Sequence, residues 1–315
     1  MAGGVICFLL LSLVPALSEG QAPGAPAAND AYRSATTIQV NSDLVLIPVS
    51  ITDGKGRFVN SLDKEHFKVY EDKVEQVISH FAAEDAPVSV SIVFDTSDSM
   101  APKMHKAREA VAELLKNANP EDEFSLVQFS DRARLVAGLT KDREELWNRM
   151  AQIQTEGSTA LLDAIFLAMK EMKSAQYARK AIIIISDGED NSSRHTLSEL
   201  KQAAGEADIQ LYAIGIIDSL NSLPGVSDAT PGPAMLKKIV EESGGRLFKV
   251  YKLNQLPEVT AKIGAALRTQ YLLGYSPSNN GKTGTYRRVI VKLKPPKGLW
   301  GLHAFWRRGY YAPSQ

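Results

Sequence analysis

The run AIIIIS at residues 181–186 constrains the fold of this chain more than any other segment. Isoleucine is β-branched and therefore favours strands over helices. A continuous apolar run that ends in turn residues, here Asp187 and Gly188, is typical of a strand buried on both faces of its sheet. The sequence therefore predicts a central sheet that other structure covers on both sides.

The segment from residue 87 to residue 272 continues this pattern, because strand-like runs alternate with amphipathic helical runs. We predict strands at residues 88–94, 124–130, 134–139, 181–186, 209–216 and 246–250. We predict helices at residues 104–115, 146–153, 159–172, 197–204, 235–242 and 253–271. Such alternation is typical of an α/β fold of the Rossmann-like, doubly wound kind, with a mostly parallel sheet.

Three segments rich in oxygen ligands occupy loops of this sheet. Asp95, Ser97 and Ser99 follow the first strand, Thr159 precedes a helix, and Asp187 follows the isoleucine strand. Ligands of doubly wound sheets bind beyond the carboxyl ends of the strands. Carboxylates and hydroxyls without thiol or imidazole select Mg²⁺, Ca²⁺ or Mn²⁺ over zinc or copper. Two carboxylates would leave a divalent ion incompletely neutralised, so it would still need an acidic ligand from elsewhere.

Each of these loops also has a purely structural interpretation. Ser97 and Ser99 could cap the helix that follows them, since serine is a preferred capping residue. Thr159 could cap the next helix, and Asp187 with Gly188 could form an ordinary turn. The metal interpretation rests on the combination of the three loops, in this order and at these strand ends.

Together the three loops resemble the metal-ion-dependent adhesion site of the von Willebrand factor type A family. The pattern of that family is Asp-x-Ser-x-Ser in a first loop, Thr in a second and Asp in a third, which here fall on Asp95, Ser97, Ser99, Thr159 and Asp187. The resemblance covers residues 87–272. It implies a six-stranded sheet with one antiparallel edge strand, for which residues 124–139 offer the hairpin.

The same resemblance implies a function. Such a site would hold Mg²⁺, with Mn²⁺ or Ca²⁺ as alternatives, and an Asp or Glu side chain of a protein partner would complete the coordination of the ion. Specificity would come from the surrounding loops, in which we single out Asp98, Met100, Glu189, Asp190, Asn191 and Asp218. The arrangement of the whole chain is similar to a group of secreted type A-related proteins of Acidobacteria.

The first residues predict export. Residues 1–20 combine an apolar run with Pro15 and small residues, which is the pattern of a secretory signal peptide with cleavage near residues 18–22. Residues 21–36 are rich in Pro, Ala and Gly and are predicted to be a flexible linker. We therefore expect a secreted or periplasmic protein without a stable transmembrane segment after cleavage. The single cysteine, Cys7, excludes an intramolecular disulfide.

Strand-like runs flank the α/β segment on both sides, at residues 37–86 and 273–315. Because the termini of a domain usually lie close together, we predict that the two segments combine into one small β domain. Residues 268–315 hold nine Lys or Arg and no Asp or Glu, together with eight aromatic residues. This composition fits a polyanion surface, but alternation within RVIVKLK favours strands with cations facing outward.

The function that these expectations favour is a binding module. The whole chain carries 36 basic and 36 acidic residues, which removes the general argument for nucleic-acid binding. A scaffold with a structural metal is the alternative. A metal-dependent hydrolase is a weaker one, because no Gly-x-Ser-x-Gly motif, phosphate-binding loop or evident general base occurs. We expect no enzymatic activity.

Overall fold

The computed structural model of this chain describes residues 44–83, 86–217, 231–278 and 284–312. The predicted signal peptide and linker lie outside these residues, and so does Asp218. In the described part of the chain, no helix is long and apolar enough to cross a membrane. Fourteen strands and six α-helices, numbered in chain order, are introduced below sheet by sheet for these residues.

A six-stranded sheet forms the centre of the α/β part, as predicted. Its strands are β5 (Ser89–Asp95), β6 (Glu123–Phe129), β7 (Ala133–Thr140), β8 (Lys180–Ser186), β9 (Gln210–Ile216) and β10 (Leu247–Val250). Their order in the sheet is β10-β9-β8-β5-β6-β7. All neighbours are parallel except β6 and β7, so β7 is the antiparallel edge strand that the sequence led us to expect.

Six helices accompany this sheet, and they lie close to the predicted ranges. They are α1 (Met104–Lys116), α2 (Arg143–Ala151), α3 (Leu161–Glu171), α4 (Leu197–Ala207), α5 (Pro231–Ser243) and α6 (Leu256–Arg268). Alternate residues of one strand belong to two separate core clusters. Ile183 and Ile185 pack in a cluster with α1, α2 and α6, and Ile182 and Ile184 pack in another with α3, α4 and α5. The isoleucine strand is therefore buried on both faces.

The flanking segments form two further sheets. Their strands are β1 (Val45–Thr52), β2 (Phe67–Glu71), β3 (Val74–Gln76), β4 (Ile78–Ala82), β11 (Gln270–Tyr275), β12 (Tyr286–Leu293), β13 (His303–Trp306) and β14 (Gly309–Tyr311). One sheet has the order β13-β1-β11-β4 and the other has the order β14-β12-β2-β3. Strands from before and after the α/β part alternate in the first sheet, and in the second sheet they meet where β12 neighbours β2.

These two sheets share a hydrophobic core that includes Ile47, Val69, Tyr271 and Val289. Residues 42–315 nevertheless form one compact unit, so a separate small β domain stays a prediction. The predicted boundary at residues 272 and 273 falls inside β11, which pairs with β1 rather than with the six-stranded sheet. The last helix is also shorter than predicted and ends at Arg268, because Gln270 already begins this strand.

The alternation predicted for the basic tail holds with one exception. Arg288 and Lys292 are exposed, whereas Val289 and Val291 are buried. Arg287, however, points inward on the same face as Val289 and forms an ion pair with the buried Glu71, at 3.0 Å between Nη1 and Oε1.

Candidate metal-binding site

The loop after β5 gathers hydroxyl groups around a buried carboxylate. Asp95 is the last residue of β5 and is fully buried. Its Oδ1 accepts hydrogen bonds from the backbone N–H of Ser97 at 3.0 Å and from Ser97 Oγ at 2.6 Å. Ser99 Oγ lies 3.2 Å from Ser97 Oγ. Ser97 makes no side-chain capping bond to the 3₁₀-helix Asp98–Lys103, so the structural interpretation of this serine does not apply.

The loop after β8 joins the same group. Strands β5 and β8 are parallel neighbours, so their carboxyl ends lie side by side. Ser186 Oγ donates to Asp95 Oδ2 at 2.6 Å and accepts from the backbone N–H of Gly188 at 2.9 Å. Ser186 thus connects Asp95 to the backbone of the loop that carries Asp187.

Asp187 brings a second carboxylate to this end of the sheet, and one of its oxygens is unsatisfied. Its Oδ2 lies 3.4 Å from Nζ of Lys103. Its Oδ1 is buried and has no hydrogen-bond partner. A buried carboxylate oxygen without a partner is costly, so an unsatisfied one calls for a cation or a donor that binds there.

Thr159 lies on a loop that backbone contacts tie to both of the others. Its backbone N–H donates to Asn191 Oδ1 at 2.9 Å, and its carbonyl accepts from the N–H groups of Asn191 and Ser192. The N–H of Glu156 donates to the carbonyl of Thr96 at 2.9 Å. Thr159 is buried and lies one residue before Ala160, the residue at the N-cap of α3, so it does not cap that helix itself.

The electrostatics of the site disfavour a charged Asp95 in the absence of a cation. Burial raises the pKa of Asp95 to about 6, hydrogen bonds from Ser186 and Ser97 oppose this rise, and the charge of Asp187 adds to it. A cation bound between the two carboxylates would favour the ionised form of each.

The donor set fits a hard divalent cation. Among the described residues, no group of three or more His, Cys, Asp or Glu side chains could hold a metal ion, so any ion here must also use hydroxyl oxygens. Asp95, Ser97, Ser99 and Asp187 supply carboxylate and hydroxyl oxygens, which suit Mg²⁺, Ca²⁺ or Mn²⁺. The unsatisfied Oδ1 of Asp187 is the observation that most directly supports such an ion.

Residues 90–189 match the protein family described as the von Willebrand factor type A domain. Over these residues the chain is similar to a von Willebrand factor type A domain. The matched residues begin in β5 and end two residues after Asp187, so the region similar to a type A domain includes all five positions predicted to bind a metal.

Two relatives of known sequence each match about half of this chain. The chain is 30% identical over 178 residues to the inter-alpha-trypsin inhibitor heavy chain H4 of Sus scrofa, a match that covers 53% of this chain and 18% of that protein. It is 24% identical over 185 residues to an uncharacterized protein of Borreliella burgdorferi, which covers 52% of this chain and 54% of the other. The chain therefore spans only part of the relatives that it matches.

One solved structure resembles more of the chain. The von Willebrand factor type A protein from Catenulispora acidiphila is 17% identical, covers 87% of this chain and 75% of its own, and superposes with a TM-score of 0.50. At this identity the likeness supports the fold alone.

We call the three loops that follow β5, precede α3 and follow β8 the metal loops. The residues predicted to contact a partner around them differ in their exposure. Asp98 and Glu189 are exposed, as a partner-binding role requires. Asp190 Oδ1 accepts from the N–H of Leu161 at 2.9 Å and therefore caps α3. Asn191 is exposed, but its Oδ1 is used by Thr159.

Met100 is the exception to these predictions. Its side chain is fully buried and belongs to the hydrophobic cluster with α1, so it does not form part of the loop surface. Burial of an apolar side chain stabilises the folded state, whereas exposure of the same side chain on the loop surface does not.

Two residues of the site escaped the sequence analysis. Ser186 was assigned to the buried strand, although its hydroxyl donates to Asp95. Lys103 lies one residue before a predicted helix and was given no role of its own, although its ammonium lies beside Asp187. Neither residue belongs to the Asp-x-Ser-x-Ser pattern. A search for polar residues directly before Asp187 and a few residues after Ser99 would have included both.

Proposed function

We propose that this protein is a secreted or periplasmic binding module in which the type A domain holds Mg²⁺ and an acidic side chain of a protein partner completes the coordination of the ion. Asp95, Ser97, Ser99, Thr159 and Asp187 would hold the ion. When bound, the ion supplies a Lewis-acidic position for a carboxylate oxygen. The unsatisfied buried Oδ1 of Asp187, beside the hydroxyls around Asp95, is the observation that carries this proposal.

The position of the site supports binding rather than catalysis. Ser99 and Asp98 are exposed at the end of the sheet, so a partner can approach the metal loops there. The hydroxyls of Ser97 and Ser186 both donate to Asp95, and among the described residues neither is hydrogen-bonded to a histidine that could act as a general base. We therefore propose a non-catalytic role, with Mn²⁺ or Ca²⁺ as possible replacements for Mg²⁺.

The first test is metal binding itself. Isothermal titration of the metal-free protein with MgCl₂ should show one site, and Asp95→Asn should remove it, because the variant loses the carboxylate and keeps the size of the side chain. Glu144→Gln is the matched control, since Glu144 is an exposed carboxylate on α2. Equal binding by Asp95→Asn and the wild type would contradict the metal site.

The second test concerns the partner. Envelope and secreted proteins of the source organism are incubated with three immobilised samples. These are the wild type with Mg²⁺, the wild type with EDTA, and Asp95→Asn with Mg²⁺. Retained proteins are then treated with a carbodiimide that blocks carboxyl groups and are incubated again with the Mg²⁺-loaded wild type. A partner that only the Mg²⁺-loaded wild type retains, and that carboxyl blocking releases, is the expected result.

A different outcome would favour the scaffold alternative. If Mg²⁺ binds and stabilises the fold, but the same partners are retained with EDTA and by Asp95→Asn, then the ion is structural and the working surface lies elsewhere. The predicted signal peptide has its own test, which is whether the chain with residues 1–20 is exported from the cytoplasm and shortened near residues 18–22.

A further inference from the structure

A pocket lies between the end of α5, the edge strand β10 and the strand β13. None of the residues that line it belongs to the metal loops. Its volume is about 350 Å³. This volume lies at the small end of the range that is typical of sites for small molecules. Pockets of this size hold a compact ligand rather than a segment of a folded partner.

The charge of the pocket is strongly unbalanced. Four cationic side chains line it, and one carboxylate does so; these residues are Lys237, Arg246, Lys249, Arg308 and Glu241. The carboxylate of Glu241 lies 3.7 Å from Nζ of Lys237, and both side chains are more than half exposed. Lys237 and Glu241 thus offset each other, and the guanidinium groups of Arg246 and Arg308 add positive charge to the pocket.

Arg246 is the central feature of this pocket, because its guanidinium is half-buried among aromatic rings. Its Cζ lies 4.5 Å from the ring centroid of Phe305 and 5.2 Å from that of Phe248. Within the described part of the chain, its guanidinium has no carboxylate or other hydrogen-bond partner. Aromatic faces stabilise the positive charge, but they leave the N–H groups of the fork without acceptors. An oxyanion would satisfy these groups in a bidentate geometry.

The walls of the pocket are held by close backbone contacts. Gly244 has a φ of +79°, and any Cβ at this residue would overlap the backbone of Trp306 and Arg307. The indole Nε1 of Trp306 donates to the carbonyl of Val289 at 3.0 Å, and the guanidinium of Arg308 lies 4.6 Å from the Trp306 ring. The ring of Trp306 and the backbone that leads to Arg246 are thus held in place by β13 and by the loop before β10.

We propose that this pocket is a binding site for a small anionic ligand with a phosphate, sulfate or carboxylate group. Arg246 holds the oxyanion through its fork, Arg308 adds long-range attraction, and the rings of Phe305 and Trp306 contact the apolar part of the ligand. The site is independent of the metal loops, and it requires neither Mg²⁺ nor a protein partner.

The test is titration at low ionic strength in EDTA, which removes any contribution of the metal loops. The probes are inorganic phosphate, sulfate and succinate, and isothermal titration is the measurement. We expect saturable binding of at least one probe to one site of the wild type. The probe that binds best identifies the oxyanion class of the natural ligand.

Variants separate this pocket from general attraction of anions. Arg246→Gln should weaken binding about tenfold or more, because charge-assisted hydrogen bonds are lost. Arg246→Lys should give an intermediate loss, since it keeps the charge without the fork. Arg134→Gln is the control: it removes one exposed arginine from β7, the strand at the opposite edge of the sheet, and it should change affinity by less than about twofold.

Arg308→Gln covers the case in which Arg246→Gln does not fold, because Arg308 is exposed and its replacement leaves the core intact. This variant should weaken binding several-fold. The proposal is overturned if none of the three anions binds the wild type, or if Arg134→Gln weakens binding as much as the pocket variants do.

Discussion

The ammonium of Lys103 lies 3.4 Å from Oδ2 of Asp187, and the two side chains are only 8% and 13% exposed. The lysine comes from the 3₁₀-helix directly before α1, and the aspartate comes from the loop after β8. A buried cation thus stands beside one of the two carboxylates of the candidate metal site. It partly neutralises that carboxylate, and it would repel a metal ion that binds there.

We predict that Lys103→Met binds Mg²⁺ about tenfold more tightly than the wild type, because removal of one nearby positive charge is worth about 1 to 2 kcal/mol after relaxation of the site. In EDTA the same variant should unfold at a lower temperature, since it leaves Asp187 without its cation. Isothermal titration and thermal unfolding measure the two effects. Lys116→Met, at a lysine whose side chain is 74% exposed, should change neither quantity. Unchanged or weaker Mg²⁺ binding by Lys103→Met would show that the lysine does not oppose the ion.

Gly188 fixes the loop that carries Asp187. Its φ is +90°, and any Cβ there would overlap the carbonyl group of Gly232 at the start of α5. We predict that Gly188→Ala costs about 1 to 3 kcal/mol of unfolding free energy and weakens Mg²⁺ binding about tenfold, although it removes no ligand. Urea unfolding and isothermal titration provide the two measurements.

Gly56→Ala is the matched control for this glycine. Gly56 has a similar φ of +76°, but open space surrounds the position of its Cβ. The control should lower the unfolding free energy by about 1 kcal/mol, because alanine is strained at a positive φ, and it should leave Mg²⁺ affinity unchanged. If both variants bind Mg²⁺ like the wild type, the contact with Gly232 does not position Asp187.

Much of the α/β part could be predicted from the sequence, because its strands and helices have distinct periods. The isoleucines of β8 are buried on both faces, as their continuous run predicts, whereas the antiparallel edge strand β7 was implied by the family resemblance. The loop positions followed from the same reasoning, since parallel strands bring Asp95 and Asp187 to one end of the sheet. A repeating pattern that extends over many residues therefore carries enough information for the fold and for which loops lie at the same end of the sheet.

Side chains whose surroundings come from distant segments could not be predicted in this way. Met100 was expected on a loop surface, but it is buried in the core, because one apolar residue among polar ones has no period to show its direction. Arg287 was expected to face outward with the other cations of the tail. Its partner Glu71 lies 216 residues away, and nothing local to either residue indicates the pair.

The pair of Asp163 and His195 makes the free energy of unfolding depend on pH in the acid range. His195 Nδ1 lies 2.7 Å from Asp163 Oδ1, which also accepts from the backbone N–H groups of Arg194 and His195. Burial alone would raise the pKa of Asp163, but hydrogen bonds from His195 and Arg194 outweigh it and lower the pKa below its usual value. A lowered pKa in the folded state stabilises the protein above the pKa of the unfolded state, and this stabilisation is lost as the pH falls through the folded value.

We therefore predict that the wild type is more stable than Asp163→Asn at pH 6, by about 1 kcal/mol or less, and that this difference shrinks as the pH falls below about 4. The variant keeps an oxygen that accepts from the two backbone groups and loses only the charge. Urea unfolding at a series of pH values between 3 and 6 provides the measurement. A stability difference that stays constant over this range would mean that the charge of Asp163 contributes nothing.

Glu71 connects four strands of the flanking sheets through one buried carboxylate. The hydroxyls of Tyr275 and Tyr310 donate to its Oε2 at 2.8 and 2.7 Å, and Arg287 Nη1 donates to its Oε1 at 3.0 Å. The glutamate is 2% exposed, and its ion pair with Arg287 is almost completely removed from solvent. We predict that Glu71→Ala lowers the unfolding free energy by about 3 to 5 kcal/mol, because it leaves a buried guanidinium without its counter-ion. Glu71→Leu combined with Arg287→Met should recover part of this loss.

The same variant tests whether the flanking sheets unfold on their own. Trp147 belongs to α2 and Trp306 to β13, so two variants that each keep only one of the three tryptophans, Trp147 or Trp306, report on the two parts separately. Because residues 42–315 form one compact unit, we expect Glu71→Ala to shift both fluorescence transitions together. An early transition of Trp306 with an unchanged transition of Trp147 would instead identify the flanking sheets as an independent small β domain. The type A domain could then be produced without them, and its Mg²⁺ binding could be measured in isolation.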